Sequence, residues 1–280
     1  MLVFLSGQFV PEAQAVVSVF DRGFLYGDGL FETLRVVHGQ PFRWDDHWQR
    51  LQHGAEWLKL TLPWASAELR TRADELIRRN QLPDAVLRLQ ISRGPGPRGY
   101  SLREAGSPTV LMTLHPAPAF DREDPPGWRL ATASQRVWAN DPLTRVKTCN
   151  KLPWILARAE AEAQGADAAL LLNTAGEVAE ADCANIFWIE RGGVCTPPLS
   201  SGALPGVTRN LVIDLCRQLN LRCEEKPVRP EQLASAEGAF LTLSTLGIVT
   251  VASIDQHPFA ESRRIGELRQ AYGRVVAQET

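Results

Sequence analysis

The sequence is short of lysine and lacks several features that would suggest large partners. Only four of its 30 basic residues are lysine, and the net charge is −2. Without a basic excess, the chain gives no sign of binding nucleic acid or an anionic membrane. It has no apolar run of membrane-spanning length, and its N-terminus lacks the basic start and long apolar stretch of a signal peptide.

Cysteine and histidine are also scarce, with five of each among 280 residues. The cysteines are odd in number and scattered, none of them forms a CxxC pair, and the histidines are dispersed. This pattern predicts a reduced, cytoplasmic protein with no structural zinc and no other metal site.

Proline is concentrated in one stretch, "HPAPAFDREDPPGW", which holds four prolines and a charge cluster over residues 115–128. Proline suits neither the interior of a helix nor a central strand. We therefore predict an N-terminal domain at 1–118, a linker at 119–127 and a C-terminal domain at 128–280.

The N-terminal part has the pattern of an α+β domain. Alternating and continuous apolar runs predict strands, and apolar residues at helical spacing predict helices. The predicted strands span 2–7, 31–37, 85–92 and 109–115, and the predicted helices span 45–60 and 66–80.

The C-terminal part is richer in strands. Hairpins are predicted within 167–196, turning at "NTAG" and "ERGG". Two further strands are predicted at 238–244 and 247–255, and helices at 153–165, 207–220 and 261–278.

Two of the four lysines, Lys147 and Lys151, lie within the nine residues "RVKTCNKLP". Arginine stays protonated in proteins, whereas a lysine can lose its proton and form a Schiff base. The ordinary alternative is that both are solvated lysines before a helix. The surrounding sequence has to distinguish this alternative from a Schiff-base lysine.

A pyridoxal phosphate site needs donors for the phosphate and a carboxylate facing the ring nitrogen. "GALPGVTRN" places Gly206, Val207 and Thr208 where a loop enters a helix, and Thr245 follows a predicted strand. Glu180 lies in a predicted hairpin. Taken singly, these features also fit an ordinary loop and an exposed strand carboxylate.

Their joint order is more specific. "DRGFLYGDGLFETLRV", "VKTCNKL", "GEVAEADCANIFW", "ALPGVTRN" and "LTLSTLGI" follow one another as in the class IV pyridoxal-phosphate enzymes, which the chain resembles from about residue 3 to residue 255. The resemblance implies a two-domain, fold-type IV enzyme of mixed α/β structure. An N-terminal α/β sandwich would precede a C-terminal α/β pseudobarrel carrying the Schiff-base lysine. It also implies a homodimer whose partner chain completes the pocket.

The same resemblance assigns roles to individual residues. Lys147 matches the Schiff-base lysine, and Glu180 matches the carboxylate at the pyridine nitrogen. A phosphate-binding role is implied for four residues: Arg50, Val207, Thr208 and Thr245.

The stretch "LQISRGPGPRGYS" is the best indicator of which reaction the protein catalyses. It contains a loop that presents basic side chains suited to binding carboxylates. It resembles the corresponding loop of 4-amino-4-deoxychorismate lyases, which release pyruvate and p-aminobenzoate for folate synthesis. The implied ligand is a small-molecule carboxylate, and the implied substrate-binding residues are Phe31, Arg93, Arg98 and Tyr100.

Two other functions stay open. One is an aminotransferase acting on D-amino acids or branched-chain amino acids, which would need a keto-acid acceptor. The other is a protein that only stores or senses the cofactor. The pair of Lys147 and Glu180 argues against it, because storage needs neither a base nor an electron sink.

Overall fold

The computed structural model describes residues 1–117, 127–260 and 262–280. The chain divides into two compact units, the first comprising Met1–Pro118, Val146–Asn150 and Thr280, and the second comprising Ala119–Arg145 and Lys151–Glu279. Apart from Gly127, the predicted linker at 119–127 lies outside the described residues. Within the described ranges, no helix is both long enough and apolar enough to cross a membrane.

The first unit is built on a six-stranded antiparallel sheet with the strand order β2-β1-β6-β5-β3-β4. Its strands are β1 (Leu2–Leu5), β2 (Gln8–Pro11), β3 (Gly29–Val37), β4 (Gln40–Pro41), β5 (Ala85–Ser92) and β6 (Thr109–Pro116). Its helices are α1 (Arg22–Tyr26), α2 (Trp44–Leu58) and α3 (Ser66–Asn80).

The two faces of this sheet have different surroundings. Alternate residues of a strand point to opposite faces. Leu30 and Leu34 of β3 share one buried core with Leu51 of α2 and Leu76 of α3. Phe31, between them in the alternation, therefore points to the opposite face.

The second unit contains a nine-stranded mixed sheet with the order β12-β11-β10-β13-β14-β7-β8-β9, and β15 pairs with β14. The β7–β8, β7–β14 and β11–β12 pairs are parallel. The strands are β7 (Trp128–Val137), β8 (Ala168–Asn173), β9 (Val178–Ala181), β10 (Asn185–Glu190), β11 (Gly193–Thr196), β12 (Cys223–Glu225), β13 (Gly238–Leu243), β14 (Gly247–Ile254) and β15 (His257–Pro258). The helices are α4 (Leu152–Ala163), α5 (Val207–Gln218), α6 (Pro230–Leu233) and α7 (Arg263–Glu279).

Most long periodic segments fold as predicted, including β5 over all eight of its residues. The short elements α1, β2, β4 and α6 have too few residues to show a period. The sequence grouped Lys147 with the second domain, whereas residues 146–150 belong to the first unit. The reason is backbone pairing, because Thr148 forms a β-bridge with Leu30 of β3.

Candidate active site

Lys147 is fixed in the first unit by backbone hydrogen bonds to the start of β3. Phe31 N donates to Lys147 O at 3.1 Å, and Cys149 N donates to Gly29 O at 2.9 Å. The Lys147 Nζ lies 4.7 Å from the centroid of the Phe31 ring. The structure thus brings together two residues that the sequence singled out, and it holds the amine against an aromatic face.

A second cation, Arg88 of β5, lies over the same ring. Its Cζ is 4.0 Å from the Phe31 centroid, and its Nε and Nη2 donate to Gln90 Oε1 at 3.3 and 3.0 Å. Burial lowers the pKa of Arg88 from its usual value, with an opposing effect from Cys149. No carboxylate among the described residues forms an ion pair with Arg88, which the sequence had not singled out.

Arg50 lies on the helix side of the same sheet, where it pairs with the buried Glu32. Its Nε and Nη2 donate to Glu32 Oε1 and Oε2 at 2.8 and 2.6 Å. The Nδ1 of buried His47 is 2.7 Å from Glu32 Oε2. Since an ionised carboxylate only accepts, His47 Nδ1 carries the hydrogen.

The protonation of this cluster follows from its contacts. Burial alone would raise the pKa of Glu32, but the charge and hydrogen bonds of Arg50, with help from His47, lower it to about 2. Burial lowers the pKa of His47, and the contacts with Glu32 oppose that change. Glu32 is therefore ionised at neutral pH and holds two donors of Arg50 in a fixed orientation.

The three predicted residues of the loop after β5 have different surroundings. Arg93 is buried, and its guanidinium donates to both oxygens of Asp28 at 2.9 and 3.0 Å and to the carbonyls of Leu58 and Lys59. It is therefore engaged within the protein rather than presented to a ligand. Arg98 and Tyr100 are exposed.

Glu180 is buried in β9 of the second unit. Its Oε1 accepts from Trp154 Nε1 at 3.1 Å, and its Oε2 accepts from Leu204 N at 2.9 Å. The sequence suggested neither donor, because both are remote in the chain. These bonds fix the carboxylate and tie it to the loop that precedes α5.

The N-terminus of α5 contains two predicted phosphate-binding residues, Val207 and Thr208, both buried. The helix begins after Gly206 without a side-chain cap. A Cβ at Gly206 would lie 2.0 Å from Asn185 Oδ1, so only glycine fits there. Asn185 also donates to Leu204 O at 2.8 Å. The uncapped N–H groups and the helix dipole suit an anion such as a phosphate.

Thr245 is half-buried in the turn between β13 and β14 of the same unit. Its hydroxyl is a chemically suitable phosphate donor. Each unit on its own carries groups that suit pyridoxal phosphate chemically. The first has the amine of Lys147, and the second has a buried carboxylate, an uncapped helix N-terminus and hydroxyl donors.

Comparison with known proteins identifies the class. Residues 29–254 match the Amino-transferase class IV family, and the chain belongs to that family. The predicted family and the pyridoxal phosphate cofactor are confirmed, so the protein is a pyridoxal-phosphate-dependent enzyme.

Three relatives carry different activities in their names. A "Putative branched-chain-amino-acid aminotransferase" of Methanocaldococcus jannaschii is 37% identical over 96% of this chain and 92% of its own. A D-alanine aminotransferase of Bacillus licheniformis is 30% identical, covering 91% and 89%. An aminodeoxychorismate lyase of Bacillus subtilis is also 30% identical, covering 91% and 87%.

Solved structures confirm the predicted fold class. The branched-chain aminotransferase of Thermoproteus uzoniensis, solved with norvaline, matches all of this chain and 95% of its own with a TM-score of 0.92 and 30% identity. A branched-chain aminotransferase of T.th., solved with pyridoxamine 5'-phosphate, matches to the same extent with a TM-score of 0.90 and 28% identity. The fold is that of a fold-type IV enzyme.

Proposed function

We propose that the protein is an aminotransferase that moves the amino group of a branched-chain amino acid to a keto acid. The observation that carries the proposal is the 37% identity over 96% of the chain with the M. jannaschii protein. D-Alanine is the next substrate to test, given the 30% identity with the B. licheniformis enzyme.

Lyase activity on 4-amino-4-deoxychorismate, which the sequence favoured, becomes the second candidate. Its support is the wording of residues 89–101 and the 30% identity with the B. subtilis lyase. That identity is lower than the 37% with the M. jannaschii protein, and for that reason the lyase is the second candidate here.

We assign the chemistry to one residue from each unit. When bound, pyridoxal phosphate supplies an electron sink for the bonds at the amine-bearing carbon. Lys147 would hold the cofactor through its side-chain amine and, as the free amine, would move the proton at that carbon. The Glu180 carboxylate would keep the pyridine nitrogen protonated, and the hydrogen bonds that it accepts from Trp154 and Leu204 keep it oriented.

We assign the cofactor phosphate to Arg50, Val207, Thr208 and Thr245. The uncapped start of α5 supports the roles of Val207 and Thr208. The two hydrogen bonds from Arg50 to Glu32 support the role of Arg50 in binding the phosphate. A guanidinium already held at two of its donors loses little conformational freedom when it binds an anion.

Two arginines are proposed to bind substrate carboxylates. Arg88 stacks on the ring that Lys147 also contacts and has no described acidic partner, so a carboxylate ligand would supply the missing charge. Arg98 is exposed on the loop after β5 and, with Tyr100, keeps the substrate-binding role that the sequence assigned to it. Phe31 forms the apolar wall beside Lys147. Arg93 retains only an indirect role, since its donors are engaged.

We also propose that the protein acts as a homodimer in the cytoplasm. Exposed apolar side chains support a surface that a second copy of the chain would cover. In the first unit, Phe20 and Phe24 are 66% and 75% exposed. In the second unit, Trp138 and Leu152 are 69% and 63% exposed. Large exposed apolar patches commonly mark interfaces between proteins. Sedimentation of the purified enzyme tests the dimer.

A two-stage absorbance experiment tests the reaction. In the first stage, the enzyme receives leucine or D-alanine without an acceptor, and an aminotransferase converts its aldehyde band to the amine form and then stops. In the second stage, adding 2-oxoglutarate restores the aldehyde band. Aminodeoxychorismate with no acceptor is the parallel reaction, and steady pyruvate release from it, with no band change from either amino acid, would replace our proposal by the lyase.

Glu180→Gln sharpens the assignment of the carboxylate. The amide cannot hold the ring nitrogen protonated, so turnover should fall while Lys147 still binds cofactor. Borohydride reduction followed by peptide mapping reads out the bound cofactor independently of turnover. A Gln variant that turns over at the rate of the unmodified enzyme would give Glu180 another role.

A further inference from the structure

The loop between β5 and β6 is bound along its length by the segment that contains α1. At its start, Arg22 N donates to Gly94 O at 2.9 Å. At its end, Thr109 Oγ1 donates to Asp21 Oδ2 at 2.6 Å, and the other oxygen of Asp21 caps α1 by accepting from Gly23 N. The base of the loop is therefore fixed to α1 on both sides.

Two side chains of α1 reach further, to a single residue of the loop. Tyr26 Oη accepts from Gly99 N at 3.1 Å, and Arg22 Nη1 donates to Gly99 O at 2.8 Å. Gly99 lies between Arg98 and Tyr100. Its N–H belongs to the peptide bond with Arg98, and its carbonyl belongs to the peptide bond with Tyr100, so both flanking peptides are held.

The two side chains are themselves held in place. Arg22 is only 3% exposed, its Nε donates to Asp28 at 2.9 Å, and its Cζ lies 5.1 Å from the Tyr26 ring centroid. Tyr26 also packs edge-on against Tyr100, with 5.6 Å between the ring centroids. Gly99 has φ +112°, which other residues rarely adopt. At this residue the carbonyl accepts from a buried arginine and the N–H donates to a tyrosine hydroxyl.

We propose that Arg22 and Tyr26 are positioning residues that hold Gly99 and thereby set the direction of the Arg98 and Tyr100 side chains toward substrate. The inference rests on the proposed substrate role of Arg98 and Tyr100. Arg98 forms no hydrogen bond or ion pair with the described residues. The direction of its side chain is therefore set through the backbone that carries it. Holding the backbone on both sides reduces the freedom that the guanidinium must lose on binding a carboxylate.

The two bonds from Arg22 and Tyr26 to Gly99 are called the clamp below. Limited proteolysis tests the clamp without any assay of activity. Trypsin cleaves after arginine, and the loop offers the bond Arg98–Gly99 inside the clamp and the bond Arg103–Glu104 outside it. Tyr26→Phe removes one hydroxyl and keeps the ring. We expect cleavage at Arg98–Gly99 to be several-fold faster in this variant, with the rate at Arg103–Glu104 unchanged. Unchanged rates at both bonds, or an equal rise at both, would overturn the clamp.

Steady-state kinetics test the positioning. In Tyr26→Phe the KM of the accepted substrate should rise about fivefold, the effect of one lost neutral hydrogen bond, with little change in kcat. Arg22→Lys keeps a positive charge near Asp28 but loses the guanidinium that contacts both Asp28 and Gly99. This variant should also raise KM. Arg103→Met, at an exposed site of the same loop, is the matched control and should keep the KM of the unmodified enzyme.

The two arms separate failure of the clamp from failure of the proposed function. Faster cleavage at Arg98–Gly99 with unchanged KM would show a clamp that does not position substrate, and it would overturn the proposal. If the unmodified enzyme turns over none of the tested substrates, the proposed function is wrong. The ratio of the two cleavage rates then shows by itself whether Arg22 and Tyr26 hold Gly99.

Discussion

Arg88 and Arg93 come from the same stretch of chain, in β5 and directly after it, yet their guanidinium groups have opposite surroundings. Arg93 is matched by Asp28 and two backbone carbonyls. Arg88 stacks on Phe31, contacts the neutral Gln90, and has no acidic partner among the described residues. A guanidinium neutralised in place stabilises the fold, whereas one left without an acid can bind an anion from solution.

The largest expected effect concerns the Lys147 amine, which contacts the same Phe31 ring as Arg88. Lys147→Ala removes the base over the Phe31 ring, and general-base catalysis typically accounts for about 10²–10⁴-fold in rate. We expect kcat to fall by at least that factor and borohydride to fix no cofactor to the chain. Lys151→Ala is the matched control four residues away. A tag on Lys151 in the unmodified enzyme would refute the assignment of Lys147.

The next effect should be on stability, at Arg93. Arg93→Leu leaves Asp28 with one buried cation instead of two and removes the donors to the carbonyls of Leu58 and Lys59. Breaking a buried pair on one side typically costs about 3 kcal/mol of unfolding free energy. Urea unfolding followed by tryptophan fluorescence measures it. If Arg88→Leu proves equally destabilising, the contrast between the two arginines fails.

A change at Arg88 should affect substrate binding rather than stability. Arg88→Leu keeps an apolar contact with Phe31 but loses the charged donors, which are worth about 1.5–3 kcal/mol when they meet a carboxylate. We expect KM for a dicarboxylate partner such as 2-oxoglutarate to rise about 10–100-fold. Because the cofactor phosphate is assigned elsewhere, the aldehyde absorbance band should stay unchanged. An unaltered KM would leave Arg88 without its proposed ligand.

The smallest effect separates the two arginines by acid sensitivity. Burial raises the pKa of Asp28, but bonds and charge from Arg93 and Arg22 outweigh it, so the pKa lies below its usual value of 3.8. The stabilisation by ionised Asp28 is complete above that value and is lost as pH falls through the lower pKa of the folded state. In Arg93→Gln the acid-dependent loss of unfolding free energy below about pH 4 should be shallower. Arg88→Leu should keep the slope of the unmodified protein, as urea titrations from neutral pH down to about pH 3 would show.

The sequence was informative where its pattern was long or its motif specific. Helices α2 and α3 and strand β5 follow directly from apolar spacing, and the family follows from the order of its motifs. The surroundings of each charge were not predictable. Periodicity places Arg88 on one face of a strand, but only the fold shows that Asp28 reaches Arg93 and no described acid reaches Arg88.

The same limit explains what sequence reasoning missed around the predicted site. Trp154, Asn185 and Leu204 contact Glu180 or the start of α5 from remote positions in the chain. The only local signal was Gly206, since a glycine before a helix indicates a close approach by another group. The roles of the ten predicted site residues stay predictions until the variants are measured.

The pairing of residues 146–150 with β3 also bears on how the polypeptide is made. Translation proceeds from the N-terminus. The carbonyl of Gly29 and the N–H of Phe31 therefore cannot form their hydrogen bonds with Cys149 and Lys147 until residue 149 has been synthesised. A gene fragment ending at residue 118 would encode six strands of a sheet but not the segment that carries Lys147. No single cut in the gene separates the two units intact, and the lysine becomes anchored only after synthesis of the second unit has begun.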